Sequence, residues 1–247
     1  MNRIILFATG ILMLIINSST DVLAQKKVNP KKLFAFYKVI YECSTEIDPE
    51  REKSAPESIR LIANRAENIL KNSRSILILN KTHSYNYAEM TEDSKDMSAV
   101  IAKSIIKGDI EFFTDLTNKS VKIRQKTPGE FITLIKDDKI EWQITKDSVK
   151  INGMKCIKAF GIISIPGFND TKIIAWFTSD LPISMGPHGL HGLPGLILKY
   201  REGSSIFTAK SINDIKNQNI VIEHPSSTNL KTYSETLTKG KKMLPKK

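Results

Sequence analysis

From Ile110 onward the chain is a succession of short segments in which apolar and polar residues alternate, broken by turn residues at short intervals. Candidate strands are 110–116, 119–126, 130–136, 139–146, 154–163, 171–179, 195–202, 205–211 and 218–223. The turn signals between them are Asn118, Pro128-Gly129, Asp137-Asp138, Asn152-Gly153, Gly203-Ser204 and Asn217. Parallel neighbours need long crossovers, and the intervals here are too short for helical ones, so the pairing is expected to be mostly antiparallel. Ile140, Trp142 and Ile144 alternate with Glu141, Gln143 and Thr145, the pattern of a strand with one face on a core and one in water. Ile173-Ile174-Ala175-Trp176-Phe177 is apolar on both faces and predicts a central strand.

Two helical patterns precede this region. Residues 33–47 read as a first strand, with Leu33, Ala35, Tyr37, Val39, Tyr41 and Cys43 at period two, ended by Pro49. Ser54-Ala55-Pro56-Glu57 has the spacing of a capping box and opens a helix to about Asn72. Its core face is predicted to carry Ile59, Ile62, Ala63, Ala66 and Leu70. Residues 75–90 return to strand chemistry. A weaker helix is expected from Met97 to Lys107, facing inward with Val100, Ile101, Ser104 and Ile105 and stopped by Gly108. The fold class is therefore mainly β: a curved, mostly antiparallel meandering sheet with one or two helices packed against it. Such a sheet, open on one side, can enclose a cavity.

Residues 1–24 have the layout of a secretory signal: Arg3, an apolar stretch from Ile4 to Ile16, then Val22-Leu23-Ala24 before the cut. The apolar stretch is short of the roughly 20 residues that span a bilayer as a helix, and no other stretch of the sequence is long and apolar enough. The expected organisation is a signal peptide at 1–24, one β-rich domain at 25–238 and a basic tail at 239–247. Export to the periplasm, envelope or medium follows. The formal charge is +11, of which the tail contributes five lysines, leaving +6 elsewhere. Nucleic-acid binding is not expected, because it asks for a clustered basic face interleaved with stacking aromatics. Cys43 and Cys156 can pair in an oxidising compartment or remain two buried thiols, and the sequence leaves both open.

Four of the 12 glycines and two of the 10 prolines fall in the stretch Gly186 to Leu198, which ends in an apolar run. The composition predicts an ordered loop over 179–194 that joins two antiparallel strands within 171–202. His188 and His191 stand three apart on this loop, with Met185 before them. A soft metal could use such donors, but the shell is incomplete and a loop histidine satisfying a hydrogen bond is the better reading; no metal and no cofactor is expected. Gly189, Gly192 and Gly195 do not form a dinucleotide loop, since Pro194 and a strand-like run follow where a helix is required. The sequence has no G-x-S-x-G elbow, no H-E-x-x-H and no phosphate loop. Trp142 and Trp176 are expected in the core, and Trp142 is the stronger candidate to line a ligand cavity because its strand has a single apolar face.

The segment Gly192-Leu193-Pro194-Gly195-Leu196-Ile197 carries a resemblance. Together with Gly186-Pro187, Trp142, Gly153-Met154-Lys155-Cys156-Ile157-Lys158-Ala159, Ala175-Trp176-Phe177-Thr178 and Pro182, it resembles the GLPGLI family of small proteins exported by Bacteroidetes-type bacteria. The likeness runs from Trp142 to about Tyr200. It implies a β-rich exported protein and carries no established activity; related modules occur fused to secreted glycan-processing enzymes. The expected function is a non-enzymatic envelope or periplasmic protein that binds an apolar ligand or an envelope protein partner, through Trp142, Trp176, His188 and His191. The alternative is a secreted hydrolase-like enzyme, or an accessory module of a glycan-processing system, whose acidic pair converges only in space.

Overall fold

Every strand of the sheet lies antiparallel to its neighbours, yet its two edges belong to consecutive strands. The computed structural model describes residues 33–46, 49–92, 94–127, 130–225 and 230–243. The signal segment 1–24, the Pro128-Gly129 turn and residues 244–247 of the basic tail lie outside the described residues. The strands are β1 (Tyr37–Thr45), β2 (Arg74–Leu79), β3 (His83–Glu89), β4 (Ile110–Asp115), β5 (Ser120–Thr127), β6 (Glu130–Ile135), β7 (Lys139–Ile151), β8 (Met154–Ser164), β9 (Thr171–Thr178), β10 (Leu196–Glu202) and β11 (Ser205–Asp214). Their order is β6-β5-β4-β3-β2-β1-β11-β10-β9-β8-β7. Two meanders thus meet where β1 pairs with β11, Cys43 opposite Phe207.

Only Lys136, Asp137 and Asp138 separate β6 from β7. At about 3.6 Å per residue such a link reaches roughly 14 Å, whereas eleven flat strands at about 4.8 Å spacing would be roughly 48 Å wide. The sheet must therefore curl until its edges approach at this end. Bulges between Ile40 and Tyr41, Ile144 and Ser148, and Ile197 and Lys199 supply local bends.

The helices are α1 (Pro49–Ser54), α2 (Glu57–Asn72), α3 (Met97–Ile106) and α4 (Tyr233–Met243). Ala66, Ile69 and Leu70 of α2 and Ala99, Ala102 and Ile106 of α3 join Cys43, Ile173, Ala175, Phe177, Tyr200 and Phe207 in one buried cluster. A second cluster holds Val39, Tyr41, Leu77, Leu79, Cys156, Ile183, Met185, Leu196 and Leu198.

Several expectations change. The inward face of α3 is Ser98, Ala99, Ala102 and Ile106, while Val100, Ile101 and Ser104 face solvent. The helix is apolar nearly all round, so periodicity does not choose its core face; the alanines turn inward because they permit close approach to α2. Its left-handed cap is Lys107, one residue before the expected Gly108. On α2 the cap position is Pro56, two residues beyond Ser54, with no side-chain hydrogen bond of its own; Ser54 ends α1, which the sequence did not announce. The capping-box arrangement occurs at α4, where Glu235 N donates to Thr232 Oγ1 at 3.3 Å and Thr232 N donates to Glu235 Oε2 at 3.1 Å. Residues 218–223 are no strand: a 3-10 turn at Lys216–Gln218 precedes a single bridge from Val221 to Phe34. Residues 75–90 form the β2–β3 hairpin. Residues 239–243 of the basic tail continue α4.

Candidate functional site

β9 and β10 pair directly, Ala175 opposite Tyr200, and residues 179–195 between them form a strap buried over much of its length. Leu196 N donates to Leu181 O at 3.0 Å and Ile197 N donates to Met185 O at 2.9 Å, so the strap folds back onto the start of β10. Gly195 marks the crossing. A Cβ there would lie 2.1 Å from the Thr178 carbonyl oxygen, which no side chain permits. Ile183 and Met185 enter one core cluster and Leu190 and Leu193 the other.

Between these anchors Pro187–Gly189 makes a 3-10 turn in which His188 adopts φ 56, a left-handed conformation uncommon outside glycine. His188 N donates to Asn86 Oδ1 at 2.7 Å. Asn86 Nδ2 donates in turn to Ser75 Oγ at 3.0 Å and to Ile76 O at 2.8 Å. The imidazole, 6% exposed, packs against Phe112, Tyr200 and Phe207, with its Nδ1 in hydrogen-bond contact with the Tyr200 hydroxyl. Burial, reinforced by Lys107 and Lys136, holds His188 well below the ordinary histidine value, so it is neutral. Burial likewise pushes Tyr200 far above the usual phenol range.

His188 lines a cavity of about 130 Å³. Ile110, Phe112, Ile123, Ile163 and Leu190 give it apolar walls, while Lys107, Glu202, Lys136 and Asp138 bring charge and Tyr233 comes from α4. Lys107 Nζ pairs with Glu202 at 3.0 Å, and Lys136 pairs with Asp138. The β6–β7 link that forces the sheet to curl thus supplies one ion pair of the cavity. It also anchors α4, because Ser234 N donates to Asp137 Oδ1 at 3.1 Å.

The other residues singled out from sequence lie elsewhere. Trp142 packs on Gly161 and donates from Nε1 to His191 O at 2.8 Å, clamping the strap; it does not line the cavity. Trp176 sits under the Lys199 ammonium, on the opposite side of β9 from Ala175 and Phe177. His191 Nδ1 contacts Gly189 O at 3.0 Å, within its own turn. Among the described residues no group of three or more His, Cys, Asp or Glu side chains is placed to hold a metal. Gly186, Pro187, Leu193, Leu196 and Ile197 are buried, and Gly192 and Pro194 are exposed. Cys43 and Cys156 are both buried and unpaired. The sequence missed Asn86, Tyr200, Lys107, Lys136, Asp138 and Glu202. Asn86 stands opposite Leu77 on a hairpin face that also carries Ser75 and Ser84, so its pattern does not distinguish it from an ordinary polar strand position.

Residues 164–199, which span β9 and the strap, match a family described as "Protein of unknown function (Porph_ging)". No curated protein matches the chain. The solved structure described as "Structure of PNGF-II in P21 space group" is similar over 78% of this chain and 29% of that chain, with 20% identity and a TM-score of 0.45. This chain therefore spans less than a third of that structure's length.

Proposed function

We propose that this chain is an exported, non-enzymatic binding protein of the cell envelope, of the GLPGLI type, whose strap-bounded cavity takes a small ligand. The observation that carries the reading is the buried His188 at the edge of an apolar-walled cavity that no side chain of the described residues fills. A volume of 130 Å³ excludes a lipid chain and suits a ligand near the size of benzene, which a dry cavity of about 150 Å³ accommodates. The export expectation rests on residues 1–24.

Two observations favour other readings. Met97, Val100 and Ile101 expose an apolar stripe on α3, as a protein partner would require. Asp138 and Glu202 share the cavity, as a hydrolase would require, but each is paired with its own lysine.

The test is native mass spectrometry of the full chain purified from the envelope fraction of its source, beside a variant, Ile165→Trp, that plugs the cavity from a lining residue just past β8. A small added mass, present in the wild type and missing in the variant, is expected. A protein found in the cytoplasm, or one that carries no small molecule in either form, overturns the reading.

A further inference from the structure

We infer that the cavity is a carboxylate site, shaped for a small organic anion with an apolar body. The inference rests on the ligand-binding reading above and adds the chemical class. It starts from a proton. Among the described residues the Tyr200 hydroxyl has His188 as its one hydrogen-bond partner, and at neutral pH the phenol keeps its proton. A buried hydroxyl proton needs an acceptor. Nδ1 is the acceptor within reach, so it is the unprotonated nitrogen, and the ring proton of the neutral imidazole sits on Nε2.

Among the described residues Nε2 has no hydrogen-bond partner. Among the described residues the one fully enclosed side-chain nitrogen or oxygen left without a partner is His224 Nε2, so His188 Nε2 opens onto space, and the space His188 lines is the cavity. The cavity therefore receives an N–H donor from its floor.

The same is true of the charged groups. Lys107 and Lys136 each spend one contact on a carboxylate, Glu202 and Asp138 respectively. An ammonium carries three donors, so each lysine retains capacity for a ligand. Both lysines line the same cavity as His188, and their positive charge is felt at its imidazole. The carboxylates of Asp138 and Glu202 are already engaged. A ligand entering this space meets unspent donors and apolar walls, and an anion that accepts several hydrogen bonds answers both.

The size limit selects among anions. With 130 Å³ available, propionate and butyrate fit, benzoate stands at the upper limit, and a fatty acid does not. Inorganic phosphate would satisfy the donors but leave Phe112, Ile123, Ile163 and Leu190 facing a strongly hydrated ion.

The experiment titrates the intact protein with benzoate and propionate, with benzamide and propionamide as neutral counterparts, and with inorganic phosphate. Thermal midpoints and the His188 ring ¹⁵N shifts are followed. The expected result is saturable binding of the carboxylates about tenfold or more tighter than of the amides, the ratio one charge-assisted hydrogen bond supplies. In the free protein the ring shifts should report the Nε2–H tautomer, and the His188 pKa should rise when a carboxylate binds. Lys107→Gln, at a half-buried side chain, should keep the fold and weaken the carboxylates without weakening the amides. His188→Asn, which tolerates the left-handed backbone, should abolish both.

Equal binding of amides and carboxylates, lost in His188→Asn, overturns the carboxylate class and leaves the small-ligand reading standing. An Nδ1–H tautomer, preferential binding of phosphate, or carboxylate binding unchanged in Lys107→Gln and His188→Asn also overturns it. Binding of neither set, with no co-purifying mass, removes the ligand-binding reading as well.

Discussion

The phenol of Tyr41 donates a hydrogen bond to the carbonyl oxygen of Ile197 at 2.7 Å, joining β1 to the start of β10 across 156 positions of sequence. Both residues are fully buried. Ile197 stands at the bulge of β10, where the pairing with β9 slips between Ile197 and Lys199, and the register with β11 begins only at Lys199. Its amide goes to Met185 of the strap and its carbonyl is taken by Tyr41. One side chain therefore holds the point where strap becomes strand.

Tyr41→Phe removes that donor and leaves the Ile197 carbonyl buried with no replacement. The expected loss is about 1–3 kcal/mol, the usual cost of stranding a buried polar group. Urea unfolding at neutral pH measures it, and a midpoint equal to wild type would contradict the anchoring role.

Gly195→Val should destabilise by more than a typical surface change, beyond about 2 kcal/mol. The added Cβ would meet the Thr178 carbonyl oxygen at 2.1 Å, and backbone at a β9 end cannot yield as a flexible side chain would. Denaturant midpoints of Gly195→Ala and Gly195→Val are expected to fall together, since the clash begins at Cβ. Survival of either at wild-type stability would mean that the strap does not cross Thr178 this closely.

Stability should decline on acidification before the carboxylates titrate. Burial holds His188 well below the ordinary value, with Lys107 and Lys136 adding to the effect. It takes His224 to about 4, with the neighbouring His83 and Lys122 lowering it further and Asp115 opposing them. Unfolded, both return to about 6.5, so between those limits the unfolded chain binds more protons and acid favours it. The urea midpoint is expected to be level above pH about 7 and to fall from about 6.5 toward 4. His224→Asn should flatten part of that slope; a midpoint unchanged from pH 7 to 5 would be incompatible with two buried neutral imidazoles.

Neither thiol should react in the folded protein. Burial pushes Cys43 up to about 12 and Cys156 to about 11, and both side chains are shielded. On the sheet, β11, β10 and β9 lie between their strands, four steps of about 4.8 Å, well beyond the roughly 7 Å of a disulfide. Alkylation without reductant is expected to add nothing to the native protein and two groups after denaturation. A mass that gains no group on denaturation would reveal a bridge.

The sequence by itself determined the local features of this protein. Period-two alternation located most strands, because a half-buried strand writes its burial directly into successive residues. The Asn152-Gly153 signal between β7 and β8 became a tight hairpin with φ 51 and 78, because those residues adopt left-handed backbone at low cost. The density of glycine and proline from Gly186 to Leu198 announced an ordered loop for the same local reason. Only the tertiary structure decided the rest. Asp137-Asp138 reads as a hairpin turn, yet β6 and β7 stand at opposite edges of the sheet and the turn joins them by making the sheet curl. The side of α3 that is buried follows from what packs on it, since the helix is apolar on both faces. The cavity brings together Lys107, Lys136, His188, Glu202 and Tyr233 from five separate parts of the chain. Each is unremarkable where it stands in sequence. Their meeting depends on long-range register, which is fixed by the sum of strand pairings and is recorded in no single segment.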